Sequence, residues 1–193
     1  EVFLQWYPAG PNNNSLTFEL TAKTLGWVSV GINTGLSMKN ADMVTGWVVD
    51  SSGAVTIFDA FATGYSVPVA DASAGGTNDV TSTSGWQNST HTFLKWTRLK
   101  TTSDSTHDWP YTDAYYALMW SIGTADGTSQ TNYPQHAHQV WGCKWIDFIR
   151  FCQPPPPTPV NCTNPSSIST YSSAGGEVFL QWYPAGPNNN SLT

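Results

Sequence analysis

The chain has 193 residues, enough for one sizeable core plus an appendage, and 39% of them are hydrophobic with only 10% charged, so it folds instead of staying disordered. Seven Lys and Arg against thirteen Asp and Glu give a net charge of -6, and so few cations cannot neutralise many phosphates, which excludes nucleic acid as a partner. No apolar run approaches the ~20 residues that span a bilayer, and the start lacks the basic-then-apolar pattern of a signal peptide, so a mature or excised fragment is expected.

Residues 1–152 read as a succession of short strands. FLQWY at 3–7 is the first, and in the next Leu16, Phe18 and Leu20 alternate with Thr17, Glu19 and Thr21. Val28, Val30 and Ile32 then alternate with Ser29 and Gly31. A period of two marks a strand with one buried face. Further strands are expected at 43–49 (MVTGWVV), 54–61 (AVTIFDAF), 90–99 (THTFLKWTRL), 114–123 (AYYALMWSIG) and 144–151 (KWIDFIRF). Gly, Pro, Asn and Asp punctuate the gaps, as at 8–14 and 50–53, and no stretch of a dozen residues carries a helical period. The expected fold is all-β, an antiparallel β-sandwich of immunoglobulin-like type.

The composition changes after Cys152. QPPPPT opens a Pro/Ser/Thr-rich segment, 153–176, whose prolines favour polyproline II and hence a semi-rigid linker. Residues 177–193 (EVFLQWYPAGPNNNSLT) are identical to residues 1–17, a period of 176 residues. A period this long makes each repeat a whole domain with its linker, and 177–193 the first strand of the next identical unit. A duplication without biological meaning is the alternative. In a tandem array the copy has no second place in its own sandwich, so it is expected to pair with a neighbouring sandwich edge, by strand addition between copies of the domain.

N-glycosylation sequons stand at Asn13, Asn88 and Asn161, the first recurring at Asn189. Cys143, Cys152 and Cys162 have no zinc-finger spacing and read as disulfide candidates of an oxidising compartment, with the pairing open. Together with the linker, these features point to an extracellular or cell-surface glycoprotein, with glycans as further partners.

The order of motifs resembles the DOMON domain. TLGWVSVGIN (24–33) is followed by GLSMKNADMVTGWV (35–48), a DSSG turn, VTIFDAFATGYSVPVAD (55–71), FLKWTRLKTTSDSTHD (93–108), YYALMWSIG (115–123) and a His-containing loop before a last strand. The resemblance covers nearly all of 1–152 and implies an extracellular or lumenal β-sandwich that binds either haem b or, in other branches, sugars and partners. In the haem-binding branch, a Met of the loop corresponding to Ser-Met-Lys and a His of the last loop are the axial ligands. The positions that match are Met38 and, in YPQHAHQVWG, His136, with His138 as the alternative ligand. A thioether and an imidazole on one iron leave no open position and suit electron transfer over catalysis.

Other readings of the same residues compete. His136 and His138 on one face of an extended segment would also suit a Zn or Cu pair, and His91 and His107 are expected at the surface. No nucleophile elbow, phosphate loop or dinucleotide fingerprint is present, and the aspartates at 42, 50, 59, 71, 104, 108, 113, 126 and 147 mostly adjoin turns, so an enzyme is not expected. Asp42 reads as a loop-fixing residue beside Met38. Exposed Trp86 or Trp109 would serve a haem-free carbohydrate-binding or structural module of an extracellular fibre.

Overall fold

The computed structural model describes residues 1–136, 141–146 and 176–180, with 141–145 and 176–180 described by their backbone alone. The expected linker beyond 152, His138, Cys152, Cys162, Asn161, Asn189 and the remainder of the copy lie outside the described residues. Two antiparallel sheets face each other, as the period-two patterning requires. One has the order β11-β1-β2-β8-β7, built from β1 (Val2–Ala9), β2 (Ser15–Ala22), β7 (Thr81–Gln87), β8 (Thr92–Leu99) and β11 (Gly176–Leu180). The other has the order β10-β9-β3-β4-β5-β6, with β3 (Val28–Asn33), β4 (Asp42–Val48), β5 (Val55–Phe61), β6 (Val69–Ala70), β9 (Tyr116–Ile122) and β10 (Trp141–Ile146). Among the described residues the one α-helix is α1, Asp71–Ala74, and no helix is long and apolar enough to cross a membrane.

The alternating positions supply the core. Val2, Leu4 and Trp6 of β1, Leu16, Phe18 and Leu20 of β2, and Leu94 and Trp96 of β8 meet Val28, Val30, Ile32, Val44, Val48 and Leu118 of the facing sheet in one cluster. Phe18 stacks on Trp96 with ring centroids 5.3 Å apart. Burying side chains of this size contributes about 1.5–3 kcal/mol each, which makes the sandwich core the main source of stability.

Four strands differ from expectation. β6 is a two-residue pairing with β5 outside the expected set, and β10 begins at Trp141, three residues before the expected start, with 147–151 outside the described residues. β7 (TSTSGWQ) is a polar edge strand with no apolar alternation, so no periodicity marks it; it forms because β8 offers it a ladder. β11 starts at Gly176 and lies antiparallel on β1 of the same chain, pairing Val2 with Leu180, Phe3 with Phe179 and Leu4 with Val178. The copy of the first strand thus does find a second place in its own sandwich, contrary to the expectation of pairing with a neighbouring one, because the outer edge of β1 is open and can accept another strand.

One feature of the second sheet positions the site. Every residue of β3 and β4 is buried, whereas a two-layer sandwich buries only alternate residues. Val28, Val30, Ile32, Val44 and Val48 point to the core, so Ser29, Gly31, Asn33, Met43, Thr45 and Trp47 lie on the opposite, outer face and are covered by something other than the partner sheet.

Candidate functional site

The cover on the outer face comes from two loops at opposite ends of β3. At the Val28 end, residues 123–136 fold back over the sheet: the Trp27 N–H donates to the Ala125 carbonyl at 3.2 Å and the Gly123 N–H to the Trp27 carbonyl at 2.8 Å. Gly123 and Gly127 allow the close approach, since a Cβ on the first would collide with the Trp27 indole and one on the second would stand 2.7 Å from the Trp47 ring. Tyr133 then enters a cluster with Trp27, Trp47 and Phe58, its ring 5.2 Å from that of Trp27. Burial lifts the Tyr133 phenol to about 12, and its hydroxyl, among the described residues, has no hydrogen-bond partner. The Trp27 indole N–H donates to the Pro134 carbonyl at 2.8 Å, which fixes the backbone two residues before His136. His136 is half-buried.

At the Asn33 end, the β3–β4 loop carries Met38. The Asn33 amide donates to the carbonyls of Ser37 at 2.6 Å and Lys39 at 2.8 Å, bracketing Met38 on both sides, and the Ala41 N–H donates to the Met38 carbonyl at 3.0 Å. The Met38 side chain is half-buried against Ala41, Met43, Ala62 and Met119. Met43 and Met119 flank Gly31 on the neighbouring strands. A Cβ at Gly31 would lie 2.6 Å from Met43 Cγ. Between the two ends the floor is small: Gly31, Ala60, Ala117, and Ser29, whose hydroxyl lies 2.8 Å from that of Thr45.

Met38 and the segment reaching His136 therefore serve the same outer face from opposite ends. The period-two reading missed this second buried face, although the small and sulfur-bearing residues at the outward positions of β3, β4 and β9 mark it. Cys143 stands opposite Met119 in the β9–β10 register. Asn13 and Asn88, the two sequons among the described residues, are both exposed.

Other expected positions move. His107 is not a surface residue: its Nδ1 lies 3.0 Å from both Asp104 carboxylate oxygens and its ring meets Phe61 edge-on. His91 is also half-buried, with Nδ1 2.8 Å from the Thr90 hydroxyl. Trp109 is half-buried and both its N–H groups are committed, the indole to the Asn40 carbonyl and the backbone to Asp42 Oδ2, whereas Trp86 is 50% exposed and stacks on Phe93. Asp42 does not fix the Met38 loop with its side chain. It is buried between the sheets, where its Oδ2 accepts from Arg98 Nη1 at 2.8 Å. Asp59, Asp71, Asp104 and Asp108 are likewise buried instead of bordering solvent in turns.

Comparison with known proteins decides the family. The DOMON domain model matches residues 3–123, the greater part of the chain. The chain belongs to the DOMON domain family. The match ends before His136. Among curated proteins, the chain is 32% identical over 142 residues to the MOXD1 homolog 1 of Drosophila melanogaster, covering 72% of this chain and 18% of that protein. It is 34% identical over 116 residues to the MOXD1 homolog 2 of the same organism, covering 59% of this chain and 14% of that protein. The chain thus spans less than a fifth of the length of these relatives. Among solved structures, the fold is similar to the cytochrome domain of Myriococcum thermophilum cellobiose dehydrogenase, with TM-score 0.52 and 19% identity over 73% of this chain and 68% of that one. It is also similar to the cytochrome b domain of pyranose dehydrogenase from Coprinopsis cinerea, with TM-score 0.54 and 15% identity over 75% of each chain. These likenesses establish a DOMON-type β-sandwich.

Proposed function

We propose that this DOMON domain is one unit of an extracellular or cell-surface glycoprotein assembly and holds haem b between Met38 and His136 for electron transfer. The observation that carries the reading is the doubly buried β3–β4 face, with a clamped Met38 loop at one end and a loop pinned through Pro134 leading to His136 at the other. The residues present fit the group. The donors are a thioether and an imidazole, the floor between them is built of Gly31, Ser29 and Ala117, and aromatic side chains line one end. Held by the Met38 thioether and the His136 imidazole, haem b would supply one-electron transfer at a raised reduction potential. The role of Asn33 is to hold the Met38 backbone in one conformation, so that the sulfur is presented without an entropy cost at binding. Tyr133, Trp27 and Trp47 exclude water from the opposite end. The two cytochrome domains of similar fold support the same reading.

The test is an absorption spectrum of the haem-reconstituted chain between 400 and 600 nm. A Soret band that shifts in Met38→Leu and is lost in His136→Ala is expected, with His138→Ala unchanged. A chain that takes up no haem, or one indifferent to both substitutions, would refute the assignment.

The assembly part of the reading is favoured by the register of β11. Because 177–193 copies 1–17, Phe3 faces the copy of itself, and Val2 faces the copy of Leu4 just as Leu4 faces the copy of Val2. This register is two-fold symmetric, so the β1 edge of one unit is complementary to the β1 edge of another, an isologous contact that joins two sandwiches through continuous sheets. Electron microscopy of multi-unit material should show particles in which domains are joined pairwise. Phe3→Lys with Phe179→Lys, which sets like charges opposite each other, should separate them. Particles unchanged by that pair of substitutions would rule out this contact.

A further inference from the structure

The buried acidic residues remain unused by the proposed function. We propose that Asp42, Asp59 and Asp108 form a binding site for a divalent cation of the calcium class between the two sheets, on the opposite side of the β3–β4 layer from the face assigned to haem. Asp42 opens β4 and Asp59 lies in β5; their alternation directs both toward the core, and Asp108 reaches them from the segment after β8. One carboxylate oxygen from each residue can be chosen so that all three lie within 4.8 Å of one another. Calcium takes oxygen ligands at ~2.3–2.6 Å, so oxygens within that span can share one ion, and it tolerates irregular carboxylate sets where magnesium demands near-ideal octahedral geometry and keeps its water.

The charges do not balance within the protein. Arg98 is the one cation in contact with the cluster among the described residues: Nη1 lies 2.8 Å from Asp42 Oδ2 and Nη2 3.3 Å from Asp108 Oδ1. The rest of its guanidinium is drawn to the Trp109 carbonyl at 3.1 Å and the Tyr111 ring at 5.0 Å. Three carboxylates against one guanidinium leave two negative charges, which a single divalent ion neutralises.

Asp59 supplies an independent observation. It is 1% exposed, and neither carboxylate oxygen has a hydrogen-bond partner. A buried carboxylate in that state costs several kcal/mol in a protein interior unless something fills the place of its missing partners. Its backbone N–H is satisfied by Asn78 Oδ1, which fixes the strand while leaving the carboxylate unanswered. Asp42 Oδ2 is held in place by accepting from Arg98 and from the Trp109 N–H. Asp71, fully buried with both oxygens unpartnered, stands nearby at the start of α1.

The experiment uses the full chain, freed of metal with EDTA and titrated with calcium chloride at pH 7.5 by calorimetry, and with terbium followed by Trp-sensitised luminescence, for which Trp109 is placed beside Asp42. One calcium per chain is expected, with a rise in Tm of about 5–10 °C when calcium exceeds Kd a hundredfold, and little response to magnesium at the same concentration. Asp59→Asn should abolish both the calcium-dependent Tm rise and the terbium signal; Asp108→Asn serves the same purpose if the first variant does not fold. A wild-type chain with no calcium response and no terbium luminescence overturns the site. So does binding that survives in the variants. A wild-type chain indifferent to calcium while Asp59→Asn raises Tm in EDTA would show that protonation relieves the buried charge instead, and overturns it as well.

Discussion

Asp71 makes stability depend on pH in the direction opposite to that of an ion-paired aspartate. Burial first, then the negative charges of Asp108 and Asp42, raise its carboxyl from the ordinary 3.8 to about 7. The folded state therefore prefers the protonated form. A raised acid contributes fully below the unfolded value, and that contribution is lost as pH rises through the folded value. Between pH 5 and pH 8 the unfolded chain gives up almost no further proton from this group, while the folded chain must ionise it. Integrating the linkage from pH 5 to pH 8, with the unfolded value at 3.8 and the folded one at about 7, gives a loss of about 2–3 kcal/mol. At roughly 2–4 °C per kcal/mol for a chain of this size, Tm should fall by about 5–10 °C from pH 5 to pH 8 on this account. Asp71→Asn keeps the shape and removes the charge, so it should flatten most of that fall. Asp108, raised to about 6 chiefly by burial and against the attraction of Arg98, should leave a smaller slope of the same sign. The assay is thermal unfolding followed by Trp fluorescence in EDTA at half-unit pH intervals. An Asp71→Asn variant that retains the full wild-type slope, or a wild type whose Tm rises toward pH 8, would refute the reasoning.

Removing the central cation should be more damaging. Arg98→Met strands Asp42 and Asp108 in the core, with an expected loss of about 3–5 kcal/mol by urea unfolding at pH 7 and partial recovery at pH 5, where the carboxyls take up protons. Asn33→Ala releases both carbonyls that bracket Met38; about 1–3 kcal/mol should be lost, and backbone amides at 37–39 should exchange hydrogen faster while those of β2 do not. Trp96→Ala, at a position 1% exposed and stacked on Phe18, should cost about 3–5 kcal/mol with unchanged secondary structure by circular dichroism.

Much of the sandwich was legible in the sequence because alternation is local. Leu16, Phe18 and Leu20, or Val28, Val30 and Ile32, announce a strand and its inward face without reference to any other residue. Even Arg98 was readable in part: it shares the inward parity of Leu94 and Trp96, and a cation on that face implies buried anions. Which anions was not readable. Asp42 and Asp71 open short elements, Asp59 sits unmarked inside β5 and Asp108 lies in the segment between β8 and β9, and only sheet pairing brings the start of β4, the middle of β5 and the segment after β8 together. The edge strand β7 escaped for a different reason, since a polar strand owes its existence to the ladder offered by β8 and not to a face of its own.

What the sequence by itself determined is the fold class, the core positions and the family pattern around Met38, all of which depend on residue spacing along one strand or loop. What only the tertiary structure decided is that β3 and β4 are buried on both faces, that Met38 and the approach to His136 lie at opposite ends of one of them, and that Asp42, Asp59 and Asp108, distant in sequence, come together beside Arg98 on the other. The physical reason is that alternation sorts side chains between two faces, while the return path of loops and the order of strands in the sheet decide what each face meets.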